Sequence, residues 1–185
     1  MRIKLARILD ELREDHQNLT RLLDLLESEC REVPEDGEPD MELLLDIMHY
    51  MTIYPDAIHH PREDLVYTAM REHCTDLAEG LESVPGDHRE IAQLGATLRK
   101  DIEAIISGAA VTRQHLLEDL VNYVGHLRRH IEWEETDLFP RADDLAREND
   151  TATIDVSLYL DEDPVFGATT AQSFRNLLAN LQRTR

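Results

Sequence analysis

Two histidine–glutamate pairs in this sequence have the spacing of side chains that bind one metal site. His59 and Glu63 form the first pair, and His130 and Glu134 form the second. Residues four apart lie on one face of a helix with Cβ atoms about 6 Å apart, so both side chains can reach one cation or two adjacent cations. Imidazole suits iron, zinc and copper, and a carboxylate can bridge two cations. The pairs therefore predict a metal site suited to oxygen or peroxide chemistry.

Two single histidines, His16 and His88, stand early in two further helical segments, and four antiparallel helices could bring them to the level of the pairs. Carboxylate-rich di-metal bundles of the ferritin type are an alternative, and they require Glu-x-x-His pairs. That class is disfavoured because no glutamate stands three residues before any of the nine histidines. The residues at those positions are Arg13, Asp46, Asp56, Ala57, Met70, Pro85, Thr112, Tyr123 and Leu127.

The hydrophobic pattern predicts helical segments that position these side chains. Leucine and isoleucine recur at helical spacing from about Ile3 to Arg31. A second segment begins near Asp40 and is disturbed at Pro55 and Pro61. Because proline removes a helical hydrogen bond and usually kinks a helix, we expect a bent helix or two helices that meet near residue 55.

Two further segments follow a break at Pro85 and Gly86. Asp87 is a candidate N-cap for the third helix, which we expect to end near Ile106, before Ser107 and Gly108. Thr112 can cap the fourth helix, which is predicted to run to about Phe139 and Pro140.

Four long amphipathic segments with short connections predict an all-α fold. We expect an up-down four-helix bundle over residues 1–148 and a C-terminal extension over residues 149–185. Within the extension, residues 151–159 are rich in β-branched side chains, and residues 172–181 have the pattern of a short amphipathic helix. We expect this extension to pack on the bundle or on a second subunit, which could support a homodimer.

Composition excludes some classes of partner. The formal net charge of −20 repels nucleic-acid phosphates and anionic lipid, so we expect neither nucleic-acid nor membrane binding. The apolar stretches are short and interrupted by charge, so none predicts a membrane span. Cys30 and Cys74 form no C-x-x-C pair, and no signal peptide is recognisable. We therefore expect a reducing cytoplasmic setting with two free thiols.

The sequence resembles the hemerythrin-like (HHE cation-binding) family over roughly residues 8–145. Its most specific parts are the strings His-His-Pro-Arg-Glu-Asp at 59–64 and His-Ile-Glu-Trp-Glu-Glu-Thr-Asp-Leu-Phe-Pro at 130–140. Asp15-His16 and Asp87-His88 precede these strings in the matching helix order. The resemblance implies a di-iron cofactor that is bridged by two carboxylates and an oxo or hydroxo group. By position, the bridging residues would be Glu63 and Glu134, and the terminal ligands would be His16, His59, His88 and His130.

Members of this family bind oxygen, sense oxygen or iron, decompose peroxide, or take part in iron–sulfur cluster repair. The oxygen carriers have an additional histidine pair on the third helix, whereas Ala92 stands four residues after His88 here. Repair members carry an N-terminal cysteine-bearing domain, whereas this chain begins at the first helix. The resemblance therefore favours a role in oxygen, peroxide or nitrosative stress or in iron handling. The candidate small partners are iron, dioxygen, peroxide and nitric oxide.

Two other hypotheses about the function stay open. In the first, the chain is a metal- or oxygen-responsive sensor module without catalysis, and its extension contacts a partner. In the second, it is a metal-free helical interaction protein. The sequence does not decide whether the chain is an enzyme.

Two more histidines are candidate ligands. His126 lies one turn before His130 on the same face, so it could be a ligand, a donor to a ligand or a channel residue. His60 lies about 100° around the helix from His59 and could reach the centre if Pro61 distorts the local turn.

The remaining histidines have a simpler interpretation. His49, His73 and His115 are predicted to be surface or hydrogen-bonded residues, although His115 and Asp119 have the i,i+4 spacing. Tyr54, Tyr67, Tyr123, Trp133 and Phe139 are predicted to serve in packing.

Overall fold

The structure, a computed structural model, describes residues 1–31, 37, 39–73, 79–149, 152–159, 161–168 and 171–183, without the side chain of Ser173. Most of these residues are helical, as predicted. The α-helices are α1 Leu5–Arg31, α2 Met41–Met51, α3 His60–His73, α4 Val84–Ile106, α5 Arg113–Trp133, α6 Phe139–Glu148 and α7 Arg175–Arg183. Two π-helical turns, Pro55–His59 and Glu134–Leu138, precede α3 and α6, and a 3₁₀ turn, Gln172–Phe174, precedes α7.

The helix starts follow local capping chemistry. The side-chain oxygen of Thr112 accepts a hydrogen bond from the backbone N–H of His115, which confirms Thr112 as an N-cap. Asp40 caps α2 in the same way, through the N–H of Leu43. The prediction that Asp87 caps the third helix is wrong, because α4 begins at Val84. Pro85 lies in the first turn, where a helix needs no backbone N–H donor, so proline does not break the helix there.

Each π-turn ends two residues before a proline, at His59 before Pro61 and at Leu138 before Pro140. The N–H of His60 bonds to the carbonyl of Pro55, and the N–H of Phe139 bonds to the carbonyl of Glu134. Proline has no N–H and collides with the carbonyl four residues earlier, and a wider turn relieves both problems at Pro61 and at residue 140. The second segment therefore consists of two α-helices joined near residue 55, as one alternative predicted. The fourth segment does not end near Pro140 as expected, but continues through α6.

Buried hydrophobic side chains form two clusters along the helices. The first cluster draws on the C-terminal half of α1 and on α2, α4, α5 and α7. The second draws on the N-terminal half of α1 and on α3, α6 and the start of α4. Helix α4 packs on α2 and α5, while α1 packs on α2, α3, α5 and α6. Along α1 and α4, the predicted ligands His16 and His88 stand between residues of the two clusters.

The extension packs on the helices of the same chain. A short strand β1, Arg2–Lys4, pairs antiparallel with β2, Thr153–Asp155, so the first helix begins at Leu5 and not at Ile3. This two-stranded sheet is an addition to the predicted all-α fold. Helix α7 packs on α2 and α1 and buries Leu177 and Leu181 in the first cluster.

The outer helix faces carry few large apolar side chains. Within the residues that the structure describes, no helix has the length and apolar character needed to cross a bilayer. Cys30 is a buried free thiol, and burial raises its pKa to about 11. Cys74 lies outside the described residues. The exposed large hydrophobic side chains in the described part are Met1, Ile53, Ile106, Val121 and Leu158.

Two neighbouring residues of α5 allow a matched test of the first cluster. Leu120 is fully buried, whereas Val121 is half exposed. We expect Leu120→Ala to lower the free energy of unfolding by about 2–5 kcal/mol, because the truncated side chain leaves a cavity. Val121→Ala should change it by about 0.5 kcal/mol or less. Urea unfolding followed by circular dichroism measures both values, and equal effects would contradict this packing.

Candidate metal centre

Six of the predicted ligands meet in one buried group between the two hydrophobic clusters. Each of the four helical segments contributes. Glu63 and Glu134 have no exposed surface, and the four histidines are less than a tenth exposed. The group comprises His16 in α1, His59 at the end of the first π-turn, Glu63 in the first turn of α3, His88 in α4, His130 in α5 and Glu134 at the start of the second π-turn.

Glu63 and Glu134 each present an oxygen to the histidines of the first half of the group. His59 Nε2 lies 3.1 Å from Glu63 Oε1. His16 Nε2 lies 3.4 Å from Glu63 Oε1 and 3.4 Å from Glu134 Oε2. One atom each from His16, His59 and Glu63 can therefore face a single point.

The other oxygen of each carboxylate faces the second half of the group. His88 Nε2 lies 3.5 Å from Glu63 Oε2, and His130 Nε2 lies 3.3 Å from Glu134 Oε1. The two Nε2 atoms of His88 and His130 are 3.1 Å apart. Each carboxylate thus spans two histidine pairs with one oxygen directed to each pair.

The unpaired atoms of this group fit a cation. Among the described residues, His16 Nε2, both carboxylate oxygens of Glu63 and Glu134 Oε2 are buried without a hydrogen-bond partner. Leaving a buried polar atom unpaired costs about 1–3 kcal/mol, and more for a charged group. Imidazole nitrogens and carboxylate oxygens together form the donor set of a transition-metal site. Metal ions placed between the two halves would satisfy these atoms.

The outward-facing nitrogens of two histidines are held by carboxylates. His59 Nδ1 lies 3.1 Å from Asp15 Oδ2, and His16 Nδ1 lies 2.7 Å from Glu135 Oε1. Such a contact favours the proton on Nδ1 and leaves Nε2 free to bind a metal. Tyr54 Oη donates a hydrogen bond to Asp15 Oδ1 at 3.1 Å. Sequence reasoning missed these partners, although Asp15 and Glu135 stand next to candidate ligands in the chain.

Tyr67 also contacts the group directly. Its hydroxyl donates a 2.6 Å hydrogen bond to Glu134 Oε1. The sequence interpretation assigned Tyr67 to packing, yet its position one turn after Glu63 places it on the ligand face of α3. The ring of Phe139 stacks on His16 with ring centroids 5.2 Å apart and keeps that imidazole in place.

The carboxylates reverse the effect of burial on three of the histidines, His16, His59 and His130. Burial alone would lower the pKa of His59, but Glu63 and Asp15 raise it to about 9. Burial also opposes the charge on His16, whose pKa is nevertheless held well above its ordinary value by Glu134, Glu135 and Glu63. Metal binding requires neutral imidazole, so a cation would take the place of these protons.

The two histidines of the second half differ from each other. Burial opposes the charge on His130, but Glu134 and Glu63 raise its pKa above the ordinary value. Burial, together with neighbouring His60 and His130, lowers the pKa of His88 to about 3, so this imidazole is neutral at pH 7. Burial and Glu63 would raise the pKa of Glu134, but His130 and His16 lower it to about 2. Neutral imidazole beside an ionised carboxylate is the protonation state that binds a cation.

The structure separates the two remaining candidate ligands. The ring of His60 stacks on His88 with centroids 3.9 Å apart, and its Nδ1 lies 3.3 Å from Asp56 Oδ1. His60 is therefore buried beside the group. His126 is not brought into the group, and its Nδ1 faces Glu90 Oε1 at 3.7 Å.

A family model described as the hemerythrin HHE cation-binding domain matches residues 7–156. The chain belongs to this family. Neither the curated proteins nor the solved structures give a match. As a hemerythrin HHE domain, the chain is a metal-cation-binding protein, and the buried histidine–glutamate group supplies residues that could hold the cation.

The hydrogen bond from Tyr67 to Glu134 can be tested against a second buried tyrosine. Among the described residues, Tyr123 Oη is buried without a hydrogen-bond partner. We expect Tyr67→Phe to lower the unfolding free energy of the chelator-treated protein by about 1–3 kcal/mol, because it removes a hydrogen-bond donor to a buried, charged carboxylate. Tyr123→Phe should be neutral or stabilising. Guanidinium unfolding measures both, and an equal loss in the two variants would refute the role of the Tyr67 hydroxyl.

Proposed function

We propose that this chain is a non-haem di-iron-binding protein that acts in oxygen, peroxide or nitrosative stress or in iron handling. One observation carries the proposal. Glu63 and Glu134 each direct one oxygen to the His16/His59 half and the other to the half formed by His88 and His130. Two carboxylates in this arrangement suit two adjacent cations that share both bridges.

The ligand roles follow from the two halves of the group. Glu63 and Glu134 would bridge the two ions. The terminal ligands would be His16 and His59 for one ion and His88 and His130 for the other. Imidazole and carboxylate together suit iron, and a bound iron pair supplies redox chemistry with dioxygen, peroxide or nitric oxide. His60 remains a candidate seventh ligand because of its place beside His88, whereas His126 is left out of the ligand set.

Other residues of the chain prepare this site. Asp15 and Glu135 orient the imidazoles of His59 and His16 through their Nδ1 atoms. The Tyr67 hydroxyl holds Glu134 and places a proton donor at the edge of the centre. The hydrophobic clusters on either side exclude water, which strengthens electrostatic interactions within the site.

The third helical segment contributes one histidine to the buried group. His88 lies in the first turns of α4, and the residue one turn later is Ala92. This pattern supports a stress-response or iron-handling role over reversible oxygen carriage. Catalysis is left open, because the residues of the site suit either turnover or sensing.

We also propose the up-down arrangement of the four segments. The N-terminal half of α1 shares a cluster with α3, α6 and the start of α4, while its C-terminal half shares the other cluster with α2 and α5. That distribution is what alternating helix directions produce. The cytoplasmic setting, the domain boundary at residue 148 and a homodimer remain predictions from the sequence.

Iron content tests the proposed function. Protein purified without chelators should contain close to two iron ions per chain and show the optical absorption of a bridged ferric pair. His59→Ala and Glu134→Ala should each reduce the iron content by at least half and abolish the absorption, because each removes a ligand atom. Elemental analysis with an ultraviolet–visible spectrum measures both.

His126→Ala is the matched control for this experiment, because it removes a histidine one turn from His130 that faces Glu90. It should leave iron content and spectrum unchanged. Iron well below two ions per chain, with preferential uptake of zinc, would refute the di-iron proposal.

A second candidate function is a sensor module, and a connected set of contacts favours it. From the ligand His59, the contacts run through Asp15 to Tyr54. The ring of Tyr54 stacks on Tyr50, whose hydroxyl donates a 2.6 Å hydrogen bond to Asp163 of the extension. A cavity of about 400 Å³ lies along the same side, between α1 and the extension. A change at the centre could reach the extension by this route.

Hydrogen exchange tests the sensor function. If the contacts transmit the metal state, amide exchange in residues 161–168 should differ between metal-free and iron-loaded protein. Tyr50→Phe should abolish that difference while leaving iron content unchanged, because it removes the hydrogen bond to Asp163 and keeps the ring. Tyr123→Phe should retain the difference. Identical exchange in the two metal states of the unaltered protein would exclude this sensor route.

A further inference from the structure

The hairpin of α4 and α5 carries a second group of metal-ligating side chains, far from the buried centre. Its members are Asp101 of α4 and the His115/Asp119 pair of α5. Asp101 stands thirteen residues after His88 in the same helix, which corresponds to roughly 20 Å at 1.5 Å per residue. The group therefore shares no ligand with the centre described above.

The three side chains converge on one point. His115 Nε2 lies 3.2 Å from Asp101 Oδ2 and 3.8 Å from Asp119 Oδ2. One ligand atom from each residue lies within 4.8 Å of the others. The two aspartates are largely buried, with side chains 19% exposed, whereas the side chain of His115 is 54% exposed. The group is thus walled by the helices on one side and open to solvent on the other.

The two carboxylates of this group share His115 as a basic partner. Within the described part of the chain, Asp101 Oδ2 and Asp119 Oδ2 are buried without a hydrogen-bond partner. One carboxylate oxygen of Asp101 and one of Asp119 lie within 4.8 Å of each other. Two like charges this close need a cation or a proton between them. The single imidazole of His115 contacts both carboxylates and carries at most one positive charge against their two negative charges.

We propose that Asp101, His115 and Asp119 bind a zinc ion. One imidazole nitrogen and two carboxylate oxygens are ligands that zinc accepts, and three protein ligands leave a fourth tetrahedral position for water. The exposed side of the group provides that position. Zinc would offset both buried carboxylates and tie α4 to α5 across the loop 107–112.

The spacing in the sequence indicates only two of the three residues of this site. His115 and Asp119 have the spacing of the two ligand pairs, but their partner Asp101 lies on the other helix of the hairpin. Only the packing of α4 on α5 brings the third ligand to them. A pairwise sequence pattern therefore predicts a surface pair, whereas the folded hairpin forms a three-ligand site.

Zinc titration of the full chain tests the proposal. The test variant is Asp119→Asn, and the background is His59→Ala/Glu134→Ala, which disables the buried centre. After chelator treatment, the background protein should bind one zinc ion per chain and unfold at a higher temperature when zinc is added. Adding Asp119→Asn should weaken zinc binding at least about tenfold, because loss of even a residue that only orients a ligand costs that much, and it should remove the thermal shift. Equilibrium dialysis with elemental analysis and thermal unfolding measure the two effects.

Glu118→Gln is the matched control, because it removes the neighbouring carboxylate, which accepts a hydrogen bond from Gln114. It should bind zinc like the background. The unfolding temperature of the metal-free protein distinguishes metal binding by Asp119 from a purely structural role. There Asp119→Asn should leave the unfolding temperature unchanged or raise it, because it relieves the repulsion by Asp101.

Two results would overturn the proposal. One is equal zinc affinity with and without Asp119→Asn, and the other is an equal loss of stability with zinc and with chelator. If the double-variant background does not fold, His115→Ala in the otherwise unaltered chain should reduce bound zinc by one ion per chain. The two proposals fail independently. Low iron content would contradict the di-iron proposal, but the effect of Asp119→Asn on zinc binding would still be expected.

Discussion

The complete burial of two carboxylates among four imidazoles is the constraint on which the structure depends. Glu63 and Glu134 have no exposed surface, and an unpaired charge at such a position would destabilise the fold by several kcal/mol. Every helical segment therefore has to bring a histidine to the same level. This polar layer divides the hydrophobic core in two, and each cluster seals one side of it. Packing and metal chemistry are thus parts of one arrangement.

The prolines show how the helices adapt to this requirement. Pro61 and Pro140 each follow a π-turn, and His59 and Glu134 lie within those two turns. A π-turn widens the helix and rotates the residues beyond it relative to an ideal α-helix, and such turns are frequent at functional sites. The same proline that removes a hydrogen bond thereby helps to set the angle between a ligand and its i+4 partner. Irregular backbone is concentrated where the site needs it.

Local rules predicted the features that depend on neighbours in the chain. The start of the second segment near Asp40, the cap at Thr112 and the junction near residue 55 follow from side chains within one turn. The same rules failed at Pro85, where proline can either break a helix or occupy its first turn, and only packing around Val84 decides between them. They also ended the fourth segment at Pro140, because they do not distinguish a broken helix from a widened one.

For the site, the sequence by itself determined the residue types and their spacing. His59 with Glu63 and His130 with Glu134 share a helix face in any α-helical arrangement, because 3.6 residues make one turn. Tertiary structure decided which side chains meet across helices. It directed the oxygens of both carboxylates to two histidine pairs, placed Tyr67 on Glu134 and turned His126 towards Glu90. Contacts between residues that are distant in the chain depend on packing angle and helix register, which short-range spacing does not encode.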